Sequence, residues 1–507
     1  IVLLSAINFI NLKTAQSAQR AKEVGVRKAM GARKSGLVLQ FLMETFVICM
    51  VSYFLSLALT ELLLPSYTKF LGKELMMNDA AIYLYSFLMM LIVTFISGII
   101  PALYLSNFKP INTLKGNFSR SSHGIWLRNG ILTLQLIISA FFITAGLIIH
   151  SQVKFMMNKD LGFNGDQSVI IWFNEAKAKP DRFYQVMKQQ ISKITGVKEV
   201  TYSKQVIGNG NTGSSNVDYP KEKKSIMATH GSVDLNFFRF YKVKILAGRD
   251  FDPKLSSDTI SNALVNEAFI RNMGWTPQQA VDKEVQPGFD SKPYKIIGVS
   301  KDFHQSGVAQ EIEPSLFFYY GDNWNREQVS NIQVKLDQND IDGTLSRIKK
   351  FWETEAEPGY ALTSEFVNKK FGQTYVQYQK QQTLFAILNG IVLVVALLGL
   401  FALSSLLIEQ KLKDVAIKKT LGADEKTIVW DLTKKFLLIA VLAVFISIPI
   451  SYYFMNEWLK DFAYRIEMPW FPYALSFVLL LFLTFAVVSI KAWQATKVNL
   501  VNYLKYE

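Results

Sequence analysis

Long apolar runs leave few folds open to this 507-residue chain. Uncharged stretches extend from Ala80 to Phe108, Asn129 to Val153, Gln381 to Ile408, Phe436 to Asn456 and Met468 to Ile490. A further apolar segment covers about 37–64, with Glu44 near its start. Each is long enough to cross a hydrocarbon layer, which takes ~20 helical residues. Backbone polar groups inside that layer must find partners within the protein, so six spanning helices are predicted. Pro101 is expected to kink or end the second of them. The chain opens on a shorter apolar segment, Ile1–Ile10. It lacks the basic flank of a signal peptide and reads as the end of a transmembrane helix that begins upstream.

Residues 154–380 differ in character: polar, mixed in charge and without a 20-residue apolar run. Gln167–Phe173 and Val197–Tyr202 read as strands. Asp181–Ile194 places Phe183, Val186, Met187, Ile191 and Ile194 at helical spacing. Later, Asn331–Asp337 reads as a strand, Ile341–Trp352 as a helix and Tyr360–Phe366 as a strand. Two β-α-β units therefore bracket a soluble α+β domain of ferredoxin-like type. The insert between them, about 204–325, includes strands Tyr294–Ser300 and Ser315–Tyr320 and reads as a β-rich lobe. From about Asn368 a helix is expected to lead back to the membrane.

The formal charge of +14 is concentrated. Segments 13–34, 107–128, 410–426 and 491–507 hold nineteen basic and five acidic residues, so the rest of the chain sums to zero. A nucleic-acid binder gathers such charge on one folded face. Here it flanks apolar runs, the pattern that marks cytoplasmic loops. Six spans then put 65–79, 154–380 and 457–467 outside and the C-terminus inside.

Within two of these basic segments the chain repeats itself. Glu23-Val-Gly-Val-Arg-Lys-Ala-Met-Gly-Ala32 returns as Asp414-Val-Ala-Ile-Lys-Lys-Thr-Leu-Gly-Ala423, 391 positions later. An acid, an apolar-small-apolar triplet and two cations lead into a Gly-Ala pair suited to a tight turn. The expectation is a short basic helix between two spans, twice, with Arg27 and Lys28, or Lys418 and Lys419, free to meet acids on a partner. Cations beside spans also fix topology and meet anionic lipid, but that does not call for a repeated Gly-Ala turn. The copies differ where Lys434-Lys435 stands in place of Glu44. Asn502-Tyr-Leu-Lys505 also echoes Asn112-Thr-Leu-Lys115.

Signatures of catalysis are missing. No phosphate-binding Gly-x-x-x-x-Gly-Lys-Ser/Thr loop occurs, and no His-Glu-x-x-His or Gly-x-Ser-x-Gly. Asp302-Phe-His304 has no evident nucleophile to serve. Cys49 is the single cysteine, so no disulfide forms within the chain, and the four histidines are scattered. Acids and bases are nearly absent from the span centres, which argues against an ion-coupled carrier.

The two repeats with their surrounding spans resemble the FtsX-like permease domain of type VII ABC transporters, the group of macrolide-exporter (MacB)-like and lipoprotein-release permeases. Ala247-Gly-Arg-Asp-Phe251, Val265-Asn-Glu-Ala-Phe269 and Ile296-Ile-Gly-Val-Ser-Lys-Asp-Phe303 are similar to this family as well. The resemblance implies an α-helical polytopic membrane protein of two FtsX-like three-span blocks plus one linking span, with an α+β extracytoplasmic domain of MacB periplasmic type. Its divisions would be 1–116 (first block, first helix truncated), 117–153 (linking helix), 154–380 (periplasmic domain) and 381–507 (second block). It further implies a bacterial inner-membrane permease without catalytic or metal site. A separate cytoplasmic ABC ATPase dimer would bind ATP and Mg. Glu23, Arg27, Lys28, Gly31 and Ala32, with Asp414, Lys418, Lys419, Gly422 and Ala423, would be the coupling residues. Closure of the ATPase would move the periplasmic domain through a helical stalk near 368–385 and 150–160, exporting antimicrobial peptides, macrolides or lipoproteins. A periplasmic adaptor and an outer-membrane channel are possible partners. The alternative is a regulator that signals to a periplasmic partner such as a cell-wall hydrolase.

Overall fold

The computed structural model describes residues 1–77, 79–106, 122–174, 181–209, 213–319, 329 and 331–497. The Asn112–Lys115 and Asn502–Lys505 echo lies outside them. In chain order, four long helices come first: α1 (Val2–Ala29), α2 (Lys34–Leu71), α3 (Ala80–Ser106) and α4 (Ser122–Asn158). Then follow β1 (Ser168–Trp172), α5 (Asp181–Ser192), β2 (Val197–Ser203), β3 (Ser214–Tyr219), β4 (Lys224–Val233), β5 (Ile245–Gly248), β6 (Asn262–Asn266), β7 (Glu284–Pro287), β8 (Tyr294–Ser300), β9 (Ser315–Tyr319), β10 (Asn331–Leu336), α6 (Ile341–Phe351) and β11 (Thr363–Phe366). The chain ends with α7 (Val367–Glu409), α8 (Leu412–Thr420), α9 (Glu425–Leu459) and α10 (Phe471–Thr496). Six of the helices, α2, α3, α4, α7, α9 and α10, are long and apolar enough to cross a membrane. α3 continues through Pro101 to Ser106, so that proline does not end it.

Contacts divide the chain into two units: Ile1–Gln152 with Lys380–Leu459 and Ile466–Glu507, and Val153–Gln379 with Lys460–Arg465. In the helical unit, α2 packs on α3 and α9 on α10. Leu132, Leu136 and Ala140 of α4 join Leu400 and Leu403 of α7, Phe436 and Ala440 of α9, and Leu480 and Val488 of α10 in one core. Helices α1, α4 and α7 converge at Gly399. Asn8 donates its amide to the Val395 carbonyl at 3.0 Å, and Gln135 donates to the Ala396 carbonyl at 2.9 Å. A Cβ at Gly399 would lie 2.2 Å from Asn8 Oδ1 and 2.6 Å from Gln135 Nε2. A small residue thus lets amide-bearing helices approach, which is how helices associate where water is absent. Asn389 of α7 fills the space over Gly146 of α4 in the same way.

In the second unit, β11-β1-β10-β2 form an antiparallel sheet in the order of a ferredoxin-like β-α-β-β-α-β fold. Its core holds Tyr184 and Ile191 of α5, Ile348 of α6, and Tyr202, with Trp352 stacked on Phe173 at 5.4 Å. The insert, β3 to β9, continues the sheet through the Ser203–Val233 pair and builds a second core around Phe269, Trp275, Ile296 and Phe318. Arg249, in the Ala247–Phe251 stretch, holds the fully buried Asp258 through two bonds, at 2.5 and 2.8 Å, and Asn262 completes it at 2.6 Å. The Lys460–Arg465 segment belongs to this unit: Ala463 N–H donates to the Ala309 carbonyl at 3.0 Å, and Tyr464 packs on His304.

Two outcomes follow. Gly399→Val should lower stability by about 2–4 kcal/mol, from overpacking and lost interhelical bonds. Gly390→Ala, in open space, should be close to neutral; thermal unfolding in detergent compares them. In the α+β unit His230 is buried, with Ser215 Oγ 3.0 Å from its Nε2 and Phe289 against the ring. Burial, then Lys204, depress its pKa to about 4. The folded state binds this proton less readily than the unfolded state. Its stability contribution is therefore complete above pH ~6.5 and is lost as pH falls toward 4, about 2 kcal/mol between pH 7 and 5. Asp250, raised by burial to about 6, has the opposite slope between ~4 and 6. The wild type minus His230→Gln difference therefore isolates the histidine and should shrink by that amount on acidification.

Candidate functional site

The two repeated stretches form matching elbows. In the first, the helix ends at Ala29, Gly31 turns left-handed at φ +92°, Gly31 N–H donates to the Lys28 carbonyl and Ala32 N–H to the Arg27 carbonyl, each at 3.0 Å. In the second, Gly422 has φ +85°, its N–H donates to the Lys419 carbonyl at 3.1 Å and Ala423 N–H to the Lys418 carbonyl at 3.0 Å. This paired 6→1 and 5→2 bonding is the Schellman motif, which satisfies carbonyls that the last helical turn leaves open. The elbows differ in how they start. The second is a separate nine-residue helix, α8, set off by a turn at Gln410-Lys411. The first is the last part of the 28-residue α1, rather than the separate short helix expected.

Equivalent residues anchor both. Val24 and Leu37 are buried with Phe41 against them, and Val415, Ile428 and Leu432 occupy the same positions 391 residues on. The cations have partners within the chain. Lys28 donates to the Ser106 carbonyl at 2.5 Å and Lys419 to the Thr496 carbonyl at 2.7 Å, each at the end of the third helix of its block. A lysine there completes an open helix C-terminus, where positive charge is favoured. Lys419 also pairs with Glu425 at 3.2 Å. Arg27 pairs with Glu23 at 2.7 Å and donates to Gln40 at 2.9 Å, and Lys418 pairs with Asp431, the counterpart of Gln40, at 2.6 Å. The cations thus brace each elbow onto its own block. Asp414, Gly31, Ala32 and Gly422 are exposed, and Ala423 packs partly against the buried cluster.

Beside these polar groups, apolar side chains also face outward, and sequence reasoning passed over them. Met30 is 76% exposed and its counterpart Leu421 81%; Val26 and its counterpart Ile417 are each 41% exposed. Each pair lies four residues apart, on one helical face. The repeat already carried the signal, an apolar residue before glycine in both copies, but only the fold shows that it is uncovered. Asp302 accepts the Ala268 N–H at 2.9 Å and meets Arg271 at 3.3 Å, and the buried His304 ring packs against Tyr464.

A duplicated three-helix block with one elbow in each copy, flanking an α+β domain, defines a polytopic membrane protein of internally repeated design. The model of the FtsX-like permease C-terminal domain matches residues 1–110 and 386–500, and that of the MacB-like periplasmic core domain matches 130–351. The chain belongs to the FtsX/MacB-like ABC permeases. It is 27% identical over 113 residues to a macrolide export ATP-binding/permease protein MacB of Burkholderia lata, 22% of this chain and 16% of that protein. With MacB 2 of Yersinia pestis it shares 29% identity over 114 residues, 22% of this chain and 17% of the relative. These matches span about a sixth of the relatives' length. The periplasmic region of MacB from Actinobacillus actinomycetemcomitans aligns with 42% of this chain and 94% of its own, at 13% identity and TM-score 0.30.

The turn geometry can be tested directly. Gly422→Val should cost the elbow about 1–2 kcal/mol, because a branched residue is strained at positive φ. Backbone amides of α8 should then exchange with deuterium roughly tenfold faster, while those of the β10 sheet stay unchanged.

Proposed function

We propose that this chain is the permease subunit of an ABC transporter in a bacterial inner membrane, driven by a separate cytoplasmic ATPase dimer that binds ATP and Mg. The observation that carries this reading is the pair of matched elbows, each braced by its own lysine and each exposing an apolar pair, Val26 with Met30 and Ile417 with Leu421. Exposed apolar side chains on a rigid support are what a protein partner would grip. Bracing matters as much as contact, because a lever transmits displacement only if it does not swing on its own base. In this reading the Lys28 and Lys419 ties pass movement of an elbow to the third helix of its block. Helix α7 begins at the residue after β11 and ends three residues before α8, so one continuous helix links the outer sheet to the second elbow in the chain. Work done inside is then felt by the outer domain, and substrate need not cross the membrane through this chain. Antimicrobial peptides, macrolides or lipoproteins are the substrate classes proposed, with an adaptor and an outer-membrane channel as further partners.

The test is co-purification from native membranes. A P-loop ATPase should accompany the wild type. Met30→Asp with Leu421→Asp should reduce its recovery tenfold or more, and thermal stability should hold because both side chains are exposed. Absence of any ATPase while the helices remain folded, or equal recovery by the double variant, overturns the reading. Deletion that changes drug or peptide tolerance supports transport, whereas a defect in cell separation points to the signalling alternative.

A further inference from the structure

The two elbows share a backbone and differ in charge. In the first, Arg20 and Glu44 form an ion pair at 2.7 Å. Their counterparts 391 residues on are Lys411 and Lys435, so two ammonium groups stand where the first copy has a cation and an anion. Lys411 is half-buried, and burial, then Lys435, lower its proton affinity. Asp414 and Asp431 offset this only in part, and Asp431 is already shared by Lys418 and Lys434, at 2.6 Å each. Among the described residues neither Lys411 nor Lys435 has an acidic partner within ion-pair distance.

These four lysines rim an open groove of about 410 Å³ between α8 and α9, with Val415, Ile428 and Leu432 as apolar lining. The groove therefore carries four cations against Asp414 and Asp431, whereas the corresponding first-copy positions (Arg20, Glu23, Arg27, Gln40, Met43, Glu44) are balanced. Below it the surface of α9 is apolar. Leu438, Leu442 and Phe445 are exposed, at steps of three and four from Lys435, and so share its helical face. Trp430, five residues before Lys435, is exposed as well, a residue type that favours the membrane–water boundary.

We propose that this groove is a binding site for an anionic phospholipid, its phosphate seated between Lys411 and Lys435 and an acyl chain laid along Leu438, Leu442 and Phe445. The phosphate supplies the negative charge that Glu44 supplies in the first copy. The apolar stripe favours a lipid over a free anion, since the charge site and the chain-length track lie on one face. Binding would brace the second elbow only in a membrane that contains anionic lipid.

Native mass spectrometry of the intact protein in mild detergent tests this, with phosphatidylglycerol and phosphatidylcholine supplied at equal concentration. Retention of phosphatidylglycerol several-fold above phosphatidylcholine is expected. Lys435→Glu, which rebuilds the first copy's ion pair, should reduce that retention tenfold or more without lowering the unfolding temperature. Arg20→Gln should leave retention unchanged. Equal retention of the two lipids, or full retention by Lys435→Glu, overturns the proposal. Displacement of the lipid by millimolar inorganic phosphate alone would mean a free-anion site and also overturns it. If Lys435→Glu keeps its lipid but loses the co-purifying ATPase, the groove seats acidic side chains of a protein instead.

Discussion

Two amide side chains hold the helical unit together at one point. Asn8 from α1 and Gln135 from α4 donate to adjacent carbonyls of α7, on either side of a glycine whose missing Cβ makes the approach possible. In hydrocarbon the hydrophobic effect does not drive helices together, since lipid tails are as apolar as leucine. Close packing and interhelical hydrogen bonds remain. α1 belongs to the first repeat and α7 to the second, so this contact joins the two copies. The hydroxyls of Thr144 and Ser476, 2.9 Å apart, join α4 to α10 in the same manner.

The elbows show how one motif divides its labour. Glycine supplies the left-handed turn, the second cation closes the end of a neighbouring helix, and the first cation pairs with the helix that follows. Of the exposed side chains, the apolar Met30 and Leu421 are not engaged in this way. A charged group already paired within its own chain is a poor anchor for another protein, since any new bond replaces an old one, whereas an uncovered methionine or leucine gains by every contact. The duplication also gives an internal control. The copies keep their anchors, turn and apolar tips, and diverge in charge at Gln40/Asp431, Met43/Lys434 and Glu44/Lys435, so this divergence is a place to look for a difference between the halves.

The α+β unit is built on the opposite principle. Its cores close around buried aromatics, and the buried Asp258 is satisfied in place by Arg249, Asn262 and the Asp252 N–H. Much of it was legible. The alternation in Asn331–Leu336 and the helical spacing of Phe183, Met187 and Ile191 mark elements that the structure contains. The single Ser203–Val233 pairing that joins the insert to the main sheet was not, because strand partners 30 residues apart leave no local trace. The Lys460–Arg465 segment was unreadable for the same reason: nothing in its composition says that Tyr464 packs on His304.

Sequence alone determined that the chain holds several apolar runs long enough to span a membrane and that a basic Gly-Ala element occurs twice. Each of these follows from local pattern: run length, charge beside apolar runs, and residue spacing. Tertiary structure decided which side of each elbow faces out. Lys28 and Lys419 looked free because their acceptors, the carbonyls of Ser106 and Thr496, lie 78 and 77 residues away. Backbone carbonyls carry no sequence signature, so only the folded helices reveal that these lysines are in use. By the same token the prominence of Met30 and Leu421 is a property of what does not cover them, and that is set by packing.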